Sequence, residues 1–229
     1  MRMLNAHPRV LSGGEAFLRY GRVYEGSPRR PDPFRYLRRD MLRAGRRHYV
    51  FSVHFLRAQH LRPDLVDMDL EAFVGVMSGL GARLVLLERR NYLRVLLSSR
   101  AGELREDWHV PHGVPPTLQT FTFDPEIVEF GATRMRLVEW LEEFERGFTE
   151  ARRLVAARGG LYLTYEEDVL PDPRIGYRKL CALLGERPAE VEVPLARANP
   201  FAIPEMLRNF DVVERNLRGT RFAWMLDAS

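Results

Sequence analysis

Hydrophobic positions fall into short bursts separated by polar, glycine- and proline-rich stretches, and the spacing within each burst predicts an element. Residues 84–87 form a continuous apolar run whose length suits a strand buried on both faces of a parallel sheet. Asn91 is a good helix cap, and Tyr92, Leu93, Leu96 and Leu97 then recur at helical spacing. Residues 48–55 (HYVFSVHF) and 161–164 read as two further strands. Helical spacing marks 34–45 and 67–80. It also marks a long stretch from Asp124-Pro125 to about Gly159, where Ile127, Phe130, Met135, Val138, Leu141, Phe144, Phe148 and Leu154 return at threes and fours. Asp172-Pro173 opens a helix carrying Leu180, Cys181, Leu183 and Leu184, and Gly185 stops it. Residues 1–6 read as a helix end stopped by His7-Pro8, residues 9–20 as a loop around Gly13-Gly14 followed by a short helix, and 120–123 as a short strand. Two short helical segments, 212–217 and 222–226, close the chain. Strands alternating with helices predict an α/β class, a parallel sheet flanked by helices, in a single domain over residues 1–229.

Composition narrows the setting. A chain of 229 residues can bury a full core, and 45% hydrophobic with 29% charged residues is the balance of a soluble globular protein. No apolar run approaches the roughly 18 residues of a membrane helix, so no transmembrane segment is expected. The first residues carry no apolar h-region, and Cys181, the sole cysteine, excludes an internal disulfide and reads as a buried thiol; together these predict a cytoplasmic protein. Lys179 is the only lysine among 35 basic residues, so a phosphate clamp here must rely on arginine, backbone N–H groups or hydroxyls. The arginines are spread along the chain, and no RNP, helix-turn-helix or zinc signature occurs, which argues against nucleic acid as the partner.

Candidate chemistry collects where the strands end. Glu88, Arg89 and Arg90 follow the 84–87 run at its carboxyl end, where open α/β sheets bind ligands. Arginine grips phosphate bidentately and a serine hydroxyl such as Ser98 adds a bond; the plainer alternative is a strand end with solvated arginines. The segment LYLTYEEDVLPDPRIGYRKLCALLG, 161–185, is a strand, turn and helix with Tyr165 at the strand end and solvated acidic caps after it. Glu15 stands where a helix dipole favours an acid. His54 lies near the end of the second strand, where a satisfied core histidine is the ordinary occupant. His60, His109 and His112 form no metal spacing, and no metal is expected.

Arg90-Asn91, six residues and then Ser98 resembles the 3′-phosphate motif of sulfotransferases that use 3′-phosphoadenosine-5′-phosphosulfate, and the ERRN doublet is most like the bacterial carbohydrate and nodulation-factor types. Residues 161–185 are similar to that family's Y-E-D-L, D-P and Leu-Gly segment, HPRVLSGGEAF (7–17) to its H-P and G-E elements, and LRNFDVVERNLRGTRFAWML (207–226) to its closing stretch. The resemblance implies a P-loop-like α/β fold that moves a sulfuryl group from that donor to a hydroxyl of a carbohydrate or small metabolite. Arg90 and Ser98 would hold the 3′-phosphate, Tyr165 would face the adenine, and Glu15 or His54 would take the proton. Ser52 stands where the family often carries a lysine before the histidine, removing a cation that would steady the transferred group. The family's 5′-phosphosulfate loop is not found, and H-P already occurs at His7. The expectation is therefore that the first strand and loop are absent from this chain, with Met1 internal to the true reading frame or the gene a degraded copy. An inactive nucleotide-binding remnant and, further off, a basic nucleic-acid-binding domain are the alternatives. Loops 21–33 and 105–116 are expected to line the acceptor site.

Overall fold

Strands and helices alternate in the computed structural model, which describes residues 2–27, 29–56, 59–130 and 133–227. In chain order the elements are α1 (Arg2–Asn5), β1 (Val10–Gly14), α2 (Ala16–Val23), α3 (Pro33–Leu42), β2 (His48–Phe51), α4 (Leu70–Gly79), β3 (Val85–Glu88), α5 (Tyr92–Arg105) and β4 (Val110–Pro111). They continue with β5 (Val128–Phe130), β6 (Thr133–Met135), α6 (Leu137–Ala156), β7 (Leu161–Thr164), α7 (Tyr165–Asp168), α8 (Arg174–Leu184), β8 (Leu195–Ala196), α9 (Ile203–Met206), α10 (Phe210–Leu217) and a 3₁₀ turn, Ala223–Leu226. The class is mixed α/β with small parallel sheets, and no closed barrel occurs among the described residues.

The chain forms two compact units. The first is Met1–Leu87, Ala151–Leu163 and Glu167–Glu192; the second is Glu88–Glu150, Thr164–Glu166 and Val193–Ser229. In the first unit β1 and β2 pair in parallel, Val10 against His48 and Leu11 against Tyr49. Phe17 anchors its core, meeting Phe34, Phe51 and Phe73 edge-on at centroid distances of 5.9, 5.8 and 5.8 Å. A satellite cluster joins Leu4, Val10, Tyr177, Cys181 and Val191. In the second unit α5 lays Tyr92 against Phe144 and Phe148 of α6, and Trp140 stacks on Phe144.

Several helix limits follow local chemistry. Asp69 caps α4 by accepting the Ala72 N–H at 2.7 Å, and Asp32 caps α3 through the Arg35 N–H at 2.7 Å with Pro33 at the first turn. Asn91 caps α5 through the Arg94 N–H at 2.9 Å, and Gly185 ends α8 at φ +75°.

Other expectations are corrected. Residues 10–14 are a strand, not a loop. Gly13 is required by packing, since a Cβ there would lie 2.1 Å from the Tyr49 hydroxyl, and Gly14 at φ +57° carries the irregularity where the register shifts. The second strand stops at Phe51, so His54 lies beyond it. β3 alternates instead of being buried on both faces: Leu86 and Glu88 are buried, whereas Val85 and Leu87 are 40% and 51% exposed. Among the described residues the strands pair two by two, so no larger single sheet covers that face. The long helix expected from residue 124 begins only at Leu137; before it, β5 and β6 form an antiparallel pair with Val128 opposite Met135. The strand expected at 120–123 reduces to one isolated bridge, Phe121 to Leu207.

Candidate functional site

Two groups of candidate side chains form, one in each unit. In the first unit, Glu15 sits at the start of α2 and His54 just past β2, and the parallel pairing of β1 with β2 brings both strand ends together. The Glu15 carboxylate lies 3.2 Å from His54 Nε2, and both side chains are about half exposed. The His60 ring stacks on His54 at 4.8 Å and 23°. His60 is buried, and its Nδ1 accepts the His54 backbone N–H at 3.1 Å. Burial, and then the neighbouring His54, pull the His60 imidazole down to about 4, against the opposing pull of Glu15. His60 is therefore neutral near pH 7, with its proton on Nε2 because the Nδ1 lone pair is taken. The three groups are close enough to share one ion, but that tautomer leaves His60 no free lone pair. Ser52 donates its hydroxyl to the Gly14 carbonyl at 3.3 Å and ties the two strand ends.

The second group forms at the ends of β3 and β7. The Leu161 N–H donates to the Leu84 carbonyl at 2.9 Å, so the two strands start side by side and run parallel. Their carboxyl ends belong to the second unit and deliver Arg89 and Arg90 from one strand and Tyr165 and Glu166 from the other. Arg90 is exposed. Its backbone N–H and that of Asn91 donate to the Glu166 carboxylate at 3.1 and 3.2 Å, and its guanidinium lies 3.8 Å from the same group. The start of α5 thus already holds an anion, a side chain of this protein. Arg89 turns the other way, its guanidinium 4.6 Å above the Tyr165 ring.

Sequence reasoning missed the residues deeper in this group. Arg94 is 2% exposed; one Nη donates to the Phe201 carbonyl at 2.6 Å, while its Nε is buried without a partner. Ser98 shares that face of α5 one turn on, and its carbonyl accepts the Asn199 side-chain N–H at 3.5 Å. The segment leading to Phe201 also brings Arg197, one of whose Nη atoms is buried and unpaired. Desolvation draws the Arg94 guanidinium below its ordinary value, and the charges of Arg89 and Arg197 add to this; desolvation does the same to Arg89, with Arg197 adding and Tyr165 and Glu166 opposing. The three arginines are thus near enough to weaken one another's charged forms, and two of their N–H groups are buried and unmet. Like charges gathered around the buried Arg94 guanidinium are unfavourable unless an anion joins them. The signal for Arg94 was present, since an arginine spaced with Leu97 and Ala101 sits on a buried helix face. For Arg197 nothing local announced it.

Comparison with family models, with curated proteins and with solved structures finds no match to this chain.

Proposed function

We propose that this protein is a sulfotransferase that moves the sulfuryl group of 3′-phosphoadenosine-5′-phosphosulfate to an acceptor hydroxyl of a carbohydrate or small metabolite. The observation that carries the reading is the convergence of Arg89, Arg94 and Arg197 beside Tyr165, with buried N–H groups unpaired. A 3′-phosphate supplies the dianion those donors lack. Ser98, one turn on from Arg94, would add a hydroxyl bond in this reading. Arg89 covers one face of the Tyr165 ring, and this reading puts the adenine against the other. Arg90, already matched by Glu166, is the outer member of the pair.

The reaction needs a base. The acceptor oxygen attacks sulfur, the bond from sulfur to the 5′-phosphate oxygen breaks, and adenosine 3′,5′-bisphosphate leaves. For the hydroxyl proton the candidate acceptor is Glu15 or His54, which lie 3.2 Å apart within the first unit. The donor is already activated, so these steps use only side chains of this chain.

Ligand-dependent unfolding tests the reading. Adenosine 3′,5′-bisphosphate at 100-fold excess over its Kd should stabilise the protein by about 2.7 kcal/mol, and adenosine 5′-monophosphate by much less at the same concentration. Arg89→Met should remove that preference, and Arg90→Gln should reduce it only in part. Equal stabilisation by both nucleotides would overturn the assignment, as would failure to transfer labelled sulfate to any of a panel of sugars and alcohols.

A further inference from the structure

The stretch from residue 29 to 47 holds eight arginines, at 29, 30, 35, 38, 39, 43, 46 and 47, against two acids, Asp32 and Asp40. The arginines are thus denser here than a reading of the chain as evenly basic allows. Both acids are committed elsewhere. Asp32 caps α3, and Asp40 is buried, accepting from Tyr49 at 2.8 Å and pairing with Arg19 and Arg43. Helix α3 is two-sided. Leu37 and Asp40 face the core, and Arg35, Arg38, Arg39, Leu42 and Arg43, spaced at threes and fours, share the opposite face. Among the described residues no carboxylate pairs with Arg35, Arg38, Arg39 or Arg46. Like charges one turn apart weaken a helix, so no partner among the described residues offsets the charge of this face. Leu42, in the middle of the arginines, is 81% exposed, and Met41 beside it is 39% exposed.

We propose that this face of α3 docks the protein on an anionic lipid surface, with the arginines at the headgroups and Leu42 and Met41 entering the acyl boundary. Two features select lipid over other polyanions. Anionic lipid headgroups attract a dense set of cations, by about 1 kcal/mol for each Lys or Arg near the surface, and the exposed Leu42 among them adds an apolar contact with the acyl boundary. A nucleic-acid backbone would reward the arginines and leave Leu42 without a function. Long arginine stems reach the headgroups while the apolar pair enters below them. The surface lies wholly within the first unit and stands independently of the sulfotransferase reading.

The test is co-sedimentation of the full chain with vesicles of phosphatidylcholine alone or with about 30% phosphatidylserine, at about 0.1 and 0.5 M salt. Binding should require phosphatidylserine and fall steeply with salt. Arg38→Gln with Arg39→Gln should weaken it roughly 25-fold, at about fivefold per cation near the surface. Leu42→Ser alone should weaken it at least fivefold with the charge unchanged. A charge-matched control, Arg215→Gln with Arg218→Gln, should change it less than twofold, and far-ultraviolet circular dichroism of every variant should match the parent. Absence of binding to the anionic vesicles would overturn the proposal. So would equal binding to neutral vesicles, indifference to Leu42→Ser, an equal loss in the control, or tighter binding to duplex DNA than to vesicles.

Discussion

Protonation of His60 should dominate the acid sensitivity of the first unit. The ring is 5% exposed and its Nδ1 is tied to the His54 backbone N–H, so the added proton has no acceptor and the charge no water. Its titration is pulled from the ordinary 6.5 to about 4, first by desolvation and then by His54. The sign follows from linkage: the unfolded chain takes up this proton first as pH falls, so the contribution is fully present above about pH 6.5 and drains away toward pH 4. The loss amounts to roughly 2 kcal/mol at pH 5 and about 3 kcal/mol at the acid extreme. Urea unfolding at pH 7.5 and 5.0 measures it, with His60→Asn as the comparison because an amide oxygen keeps an acceptor for the His54 N–H. The parent should lose about 2 kcal/mol more than the variant between the two pH values, with the denaturant slope unchanged. Superimposable pH profiles, or a His60 imidazole resonance titrating above pH 6, would refute the reasoning.

Other outcomes follow from packing. Gly13→Ala drives a methyl onto the Tyr49 hydroxyl, which Asp40 holds in place, and should cost about 1–3 kcal/mol in thermal or urea unfolding. Gly75→Ala, in the exposed interior of α4 with nothing within 4 Å of the new methyl, should instead stabilise by about 0.5–1 kcal/mol. Tyr92→Phe removes the hydroxyl that donates to Glu88, a fully buried carboxylate, and should cost about 1–3 kcal/mol. The Cys181 thiol is fully buried, with burial raising its titration point, so a thiol reagent should modify it only at the rate of unfolding.

Elements with a complete local signal were legible in the sequence. β7 matches the expected residues 161–164, α8 ends at the glycine that stops it, and Asn91 caps α5 as its residue type implies. Where a pattern had two readings, tertiary pairing decided. Ile127, Phe130 and Met135 fall at near-helical spacing by coincidence, and Val128 opposite Met135 makes a hairpin of them. Burial of β3 on one face only depends on how many strands join it, which no window of residues reports. The site divides the same way. Arg90 was proposed because it follows an apolar run and matches a motif resemblance, and Tyr165, Glu15 and His54 from that resemblance. Arg197 and His60 arrive from irregular segments, where neither period nor spacing marks a residue.

The division of the first unit among three stretches of chain has a consequence for how it is made. β3 ends at Glu88, but its partner begins at Leu161, and the unit is closed only by residues up to Glu192. At about 5–20 residues per second the ribosome needs several seconds to bridge that interval. Throughout it Leu86 and its exposed neighbours wait on a strand with no partner edge. Residues 88–150 of the second unit are synthesised in that interval. The order of synthesis therefore runs against completing the first unit first, and pairing across more than 70 residues makes its parallel edge a slow step of folding.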